Sequence, residues 1–300
     1  MQKDNQTSGT STGAALVALA ALCWGISGGI GGILLSNGWN AFVVSLYRGA
    51  IGLLFVLIWL LLSPRGNGLT NRRLWFWAAF AGLGVAGNFA FYFISIGEGS
   101  VAVAATLMYC APVFVYLVSF VLRLETSTPL KWGGIGIVII GIVLLTRIYN
   151  VSESSITPLG VGSGLLAGLS YAVFIFGFKY AAKYGSPQAT LAVAFTVLVI
   201  TLIWPSDVSQ AIEVLSSPDW LLFAALGVLG AGLSFIFYIG GLNNTAPTVA
   251  SIVAMVEPVT ASLFGVLVLD ERLAVLQIVG MGLILITVTA LSVYSNNEGA

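Results

Sequence analysis

Residues 146 positions apart match along this chain. Pro112 pairs with Pro258, Glu125 with Glu271, Phe91 and Tyr92 with Phe237 and Tyr238, and Gly134 and Gly136 with Gly280 and Gly282. A fixed offset held over roughly 45 residues marks an internal repeat, so the fold has to accommodate two copies of one unit. Each copy carries five apolar runs, an odd number. If the runs cross a membrane, the second copy enters with the opposite orientation. Inverted repeats of this kind recur in secondary transporters, with the substrate site at the repeat interface near the bilayer midplane.

Composition supports the membrane. Of the 300 residues, 58% are hydrophobic and 7% charged, against about 45–50% and 25% in soluble domains. Met1 to Gly13 is polar and reads as a disordered tail. Polar or Pro/Gly-marked breaks divide the rest into ten spans of bilayer length. The first unit, residues 14–148, holds spans at Ala14 to Leu35, Asn40 to Leu62, Arg73 to Ser95, Ser100 to Leu122 and Leu130 to Thr146. The second, residues 159–293, holds Leu159 to Ala182, Pro187 to Trp204, Pro218 to Gly241, Ala246 to Leu269 and Leu273 to Leu291. The expected fold class is all-α integral membrane, ten helices in two five-helix inverted repeats.

The side carrying both termini holds Lys3, Arg65, Arg72, Arg73, Arg123, Lys131, Lys179 and Lys183, whereas Arg147 and Arg272 lie opposite. By the positive-inside rule both termini are expected in the cytoplasm. The formal net charge is zero and no basic stripe exists, which sets nucleic acid aside as a partner. With no histidine in the chain, His-based triads and His metal sites are excluded. Cys23 and Cys110 both sit in apolar runs, where a small packing residue is the default. No cofactor or metal is expected. No phosphate loop, Ser-Lys dyad or carboxylate pair at helical spacing occurs in the spans, so an enzyme is not expected.

Seven of the nine prolines fall in links or at span ends; Pro112 and Pro258 do not. Each interrupts a predicted helix and frees a carbonyl four residues earlier, at Met108 or Ala254. They are candidate kinks lining the pathway, and candidate hinges. Glu257 is about 15 Å into its span and Arg48 about 12 Å into its own, counted at 1.5 Å per residue. Intramembrane charges are functional candidates by default. Two readings are open. In one, Arg48 faces the carboxylate and Glu257 the ammonium of a zwitterionic amino acid; in the other they pair with each other, or Arg48 pairs with Glu98 while Glu257 is protonated or capped by backbone. Glu257 is also the candidate for coupling to protons.

Trp24, Tyr171 and Tyr109 are mid-span rings whose polar atoms need partners, so they are expected to face the bundle interior. They are candidates for stacking on substrate, with core packing the competing role. Tyr92 and Tyr238 sit nearer span ends, where interfacial anchoring competes. Asn88 and its repeat mate Ser234 are polar candidates for a substrate or a neighbouring helix. Gly160, Gly164 and Gly168, and the pairs Gly25 with Gly29 and Gly28 with Gly32, form small-xxx-small steps. They suggest a close crossing of the first and sixth spans.

These residues resemble the drug/metabolite transporter superfamily, specifically the ten-helix EamA-type exporters. The resemblance is carried by the five-plus-five repeat, by Glu257-Pro258, and by Leu269-Asp270-Glu271-Arg272 before an apolar span with Gly280 and Gly282. The first half repeats the pattern as Ala111-Pro112 and Leu124-Glu125 before Gly133 and Gly134. The resemblance implies an exporter in the bacterial inner membrane that moves small molecules by alternating access, and most resembles exporters of aromatic and neutral amino acids. A broad exporter of drugs, organic cations or other metabolites is the alternative. Expected partners are a small-molecule substrate, the lipid bilayer and, as a candidate, protons. The substrate-site expectation is Trp24, Arg48, Asn88, Tyr92, Tyr109, Tyr171, Ser234, Tyr238 and Glu257, with Pro112 and Pro258 as kinks.

Overall fold

The computed structural model describes residues 2–63, 66–121, 128–146, 156–242, 253, 254 and 256–298. Expectations for Pro64, Arg65, Arg123, Leu124, Glu125, Arg147, Pro247 and the start of the ninth span at residues 246–252 fall outside them. Helices α1 (Gln2–Ser36), α2 (Ala41–Leu62), α3 (Arg72–Gly97), α4 (Val101–Met108), α5 (Ala111–Val121) and α6 (Pro129–Thr146) come first. Then follow α7 (Pro158–Ala181), α8 (Pro187–Ile203), α9 (Val208–Glu213), α10 (Trp220–Gly227), a π-helical turn at Val228–Leu233, and α11 (Ser234–Leu242). The last two are α12 (Val256–Val268) and α13 (Val275–Glu298).

Among the described residues every regular element is helical. Six stretches are long and apolar enough to cross a membrane: Thr12–Ser36, Ala41–Leu62, Arg72–Gly97, Val101–Val118, Pro158–Ala181 and Trp220–Gly241. Shorter apolar helices occupy Trp132–Leu145, Pro187–Ile203, Val256–Val268 and Val275–Thr287. Large apolar side chains such as Leu61 and Leu267, 77% and 76% exposed, stand on the outer surface. In water such a surface would be a liability; against lipid tails it is the ordinary outer face of a membrane protein.

Helix starts follow the local sequence. Thr157 and Ser186 accept from the N–H groups of Gly160 and Ala189, and each is followed by a proline at the first helical position. Asp207 caps α9 by accepting from both the amide and the hydroxyl of Ser209 and from the amide of Gln210. The Ser209 hydroxyl and the two amides hold its carboxyl below the usual range. Between α1 and α2 the chain reverses over Gly38, whose φ of 93° favours glycine.

Helix α1 starts at Gln2; a nucleated apolar helix gains one hydrogen bond for each residue added. Two expectations are overturned. The fourth span is two helices, broken at Tyr109 and Cys110, which puts Pro112 in the first turn of α5, where a missing N–H loses nothing. The glycines of α1 and α7 do not meet. A Cβ on Gly25 or Gly29 would strike Thr260 or Phe264 of α12, and one on Gly164 would strike Leu107 of α4. Small residues permit close approach without naming the partner helix.

Helix α3 lies along α7. Asn88 Nδ2 donates to the Ala167 carbonyl at 3.0 Å and Ser95 Oγ to the Gly160 carbonyl at 2.8 Å. At one end of the bundle the α1–α2 link is tied to the segment around α9. Trp39 Nε1 donates to Asp219 at 2.7 Å, Asn37 Nδ2 donates to the same carboxylate, and the Asn40 amide donates to Gln210 Oε1 at 2.7 Å.

At that end Glu271 crosses from the α12–α13 link to cap α4. Its oxygens accept from the amides of Val101 at 2.7 Å and Ala102 at 3.3 Å. Burial raises its carboxyl above the ordinary range, and the two amides pull it partly back. Asp270, at φ 53°, takes the left-handed conformation that turns Glu271 inward. Glu271→Ala is expected to destabilise the protein by about 1–2 kcal/mol, the usual magnitude for a lost cap. Thermal unfolding in detergent checks this; a melting temperature equal to wild type would show that Ser100 alone satisfies α4.

Candidate functional site

A cavity of about 370 Å³ opens inside the bundle, within the size range of small-molecule sites. It runs from exposed Lys179, Ala182 and Pro187, at the end opposite the Asp219 ties, to Met108 and Glu257, which are buried. The walls are mostly aromatic. Trp24 of α1 packs edge-on to Phe235 with ring centroids 5.5 Å apart and tilts against Tyr238 at 5.1 Å. Facing them from α7, Tyr171 contacts Phe174 at 4.5 Å, and Phe174 contacts Phe178 at 5.7 Å. Positions 171, 174 and 178 share one helical face, which makes the stripe continuous.

Two buried charges lie in this wall, inward of the exposed Lys179 at the mouth. Arg48, on α2, is 5% exposed. Its Nε and Nη2 both donate to the Gly230 carbonyl, at 3.2 and 3.1 Å, and its Cζ sits 4.0 Å from the centre of the Phe89 ring. The acceptor belongs to the π-helical turn. Glycine at 230 is needed for this approach, because a Cβ there would come 2.7 Å from Nε and 2.8 Å from Ser27 Oγ. The aromatic face and the carbonyl together hold an otherwise costly buried cation.

Glu257, on α12, is 4% exposed and accepts a 2.6 Å hydrogen bond from the Tyr109 hydroxyl. That hydroxyl also lies 3.2 Å from the Ala254 carbonyl, the one Pro258 was expected to free. Thus the break in the fourth span presents a tyrosine to Ala254 and Glu257 of the ninth. Among the described residues no ion pair joins Arg48 to Glu257, and Glu98 accepts from Thr157 Oγ1 at 2.7 Å. Neither of the pairings weighed from sequence is present.

Trp24, Arg48, Asn88, Tyr92, Tyr171, Tyr238 and Glu257 all line the cavity. Tyr109 stands behind Glu257 as its hydrogen-bond donor. Ser234 is fully buried outside the lining, and its Oγ has no partner among the described residues. Tyr92 is 2% exposed, so the interfacial reading of it is overturned: α3 is packed on its inner side almost to its end. None of the candidate residues lay on the seventh span, yet it supplies Thr190. Phe89, Phe174, Phe178 and Phe235 were missed for want of a polar atom to mark them. The spacing of Phe174 and Phe178 from Tyr171 was the available signal.

An aromatic-walled cavity holding one buried cation and one buried carboxylate lies inside an apolar helical bundle, the construction of a membrane transporter. A family model, the EamA-like transporter family, matches residues 11–147 and 158–293, and the chain belongs to that family. It is 29% identical over 279 residues to an uncharacterized transporter of Archaeoglobus fulgidus, covering 91% of this chain and 93% of the relative. It is 26% identical over 247 residues to the uncharacterized inner membrane transporter YedA of Escherichia coli, covering 78% and 76%. Protein PecM of Dickeya dadantii is 26% identical over 240 residues, covering 75% and 77%. A solved crystal structure superposes with a TM-score of 0.62 at 16% identity, covering 97% of this chain and 100% of the other, which shows a shared fold.

Proposed function

We propose that the protein exports aromatic and other neutral amino acids across the inner membrane by alternating access. The observation that carries this reading is the placement of Arg48 and Glu257 in one aromatic-walled cavity with no ion pair between them. A zwitterion supplies the missing counter-charge to each, and an aromatic side chain supplies apolar area to the walls. Tyr92 and Thr190 also line the cavity, with their hydroxyls turned into the surrounding protein.

The remaining parts of the proposal rest on the sequence. The ten spans form two inverted five-helix units, residues 14–148 and 159–293, that rock about the cavity with both termini in the cytoplasm. In that orientation the mouth at Lys179 and Pro187 faces the cytoplasm, and the ties to Asp219 close the outer end. Pro112 and Pro258 mark the breaks about which the halves move. A broad exporter of organic cations is the second reading, favoured by the carboxylate and rings alone; there Arg48 is purely structural.

Counterflow in proteoliposomes tests the reading. Vesicles preloaded with unlabelled tryptophan are expected to accumulate external labelled tryptophan transiently. Glu257→Gln, which removes the ammonium's counter-charge, is expected to slow this about tenfold or more, the magnitude of a hydrogen bond to a charged group. No accumulation by wild type beside a working control carrier would retire the aromatic amino acid assignment and favour the cation exporter.

A further inference from the structure

We propose that the cavity also accepts aromatic monocarboxylates that lack an amine, and that the free edge of Arg48 is what selects them. This rests on the cavity being the substrate site. A guanidinium has two edges able to grip a carboxylate side by side. In Arg48 the Nε–Nη2 edge is occupied by the Gly230 carbonyl and one face by the Phe89 ring, which together fix the plane of the group. The Nη1–Nη2 edge remains. Nη1 hydrogen-bonds nothing among the described residues, and the side chain lines the cavity.

The two charges differ in how they tolerate an empty partner position. Glu257 already holds the Tyr109 hydroxyl at 2.6 Å, and a carboxyl can take up a proton. Arg48 touches only a neutral carbonyl and the Phe89 and Phe93 rings, with the Glu257 carboxylate beyond ion-pair distance, and a guanidinium does not release its proton in a protein. The titratable groups around the two are tyrosines from every side: Tyr92 of α3, Tyr109 between α4 and α5, Tyr171 of α7 and Tyr238 of α11, with Lys179 at the mouth. None of these supplies an anion to Arg48. A ligand carboxylate is therefore the group the site requires, and a ligand ammonium is the group it can do without. An aromatic acid fills the ring-walled volume and the free edge of Arg48; the matching amine leaves that edge empty.

Two probes separate the halves of the zwitterion: indole-3-propionate, which is tryptophan without its amine, and tryptamine, which lacks the carboxylate. Each is tested as a competitor of tryptophan counterflow and as a labelled solute. Indole-3-propionate is expected to compete at least tenfold better than tryptamine. In Glu257→Gln its exchange relative to tryptophan is expected to rise at least tenfold, because tryptophan loses the partner of its ammonium and the acid has no ammonium to lose. In Arg48→Gln its exchange should fall at least tenfold; if that variant does not fold, Arg48→Lys, which keeps the charge without the planar fork, should show the same direction. A merely structural Arg48 or Glu257 would move both solutes together. If tryptophan exchanges and indole-3-propionate neither competes nor exchanges, this inference falls while the amino acid reading stands. If indole-3-propionate exchanges and tryptophan does not, the amino acid reading falls while this inference stands, and failure of both solutes overturns both.

Discussion

Gly177→Leu is expected to destabilise the protein by about 3 kcal/mol or more, the upper part of the range for overpacking a close contact. A Cβ at this position of α7 would lie 2.7 Å from the backbone nitrogen of Ala81 and 2.8 Å from its Cα. Those atoms belong to the axis of α3 and have no rotamer by which to withdraw. The helices would have to part, stretching the Asn88–Ala167 and Ser95–Gly160 hydrogen bonds along the same seam. Helix α7 also carries Phe174 and Phe178, and α3 carries Asn88 and Phe89, so the separation widens the cavity as well. Thermal unfolding in detergent is the measurement, with Gly177→Ala expected to lie between the two. A Leu variant melting with wild type would mean that the α3–α7 seam is looser than its geometry states.

Gly230→Ala is expected to leave the protein folded and to slow tryptophan exchange about tenfold to a hundredfold. The added methyl would meet Arg48 Nε, the Ser27 hydroxyl and Ser27 Cβ, side-chain atoms rather than a helix backbone, though Cβ gives way only with a small shift of α1. Ser27 Oγ is engaged with the Trp24 carbonyl at 2.8 Å, so the guanidinium is the group free to shift. Shifting it breaks the fork to the Gly230 carbonyl and lifts it from Phe89. Hydrogen bonds to charged groups contribute about 1.5–3 kcal/mol, which gives the stated range. Counterflow and a melting curve on the same preparation distinguish loss of the site from loss of the fold. Wild-type exchange in Gly230→Ala would show that Arg48 does not depend on the π-helical turn for its position.

The site is partly legible in the sequence. Glu257 and Arg48 stand out because a charge deep in a span is costly, and that cost is a property of the residue and its depth. Pro258 points to the Ala254 carbonyl because proline removes a donor in a predictable place. Tyr92 is misread because distance from a span end says nothing about which neighbour covers it. The π-helical turn has no signal: Val228–Leu233 has the composition of the helices on either side, and the widened ladder becomes meaningful only when Arg48 arrives at Gly230.

Apolar span length and the depth of Arg48 and Glu257 are enough to establish a helical membrane protein with charge inside the bilayer. Those properties follow from transfer free energy and from the need to satisfy every backbone group in lipid, both of which act residue by residue. The partners are set only when the helices pack. Whether Arg48 meets Glu257, Glu98 or a carbonyl, and whether the glycines of α1 face α7 or α12, depends on helix rotation and crossing. In lipid, where neighbouring helices and acyl chains are equally apolar, no hydrophobic pattern specifies those choices; close packing and a few hydrogen bonds do.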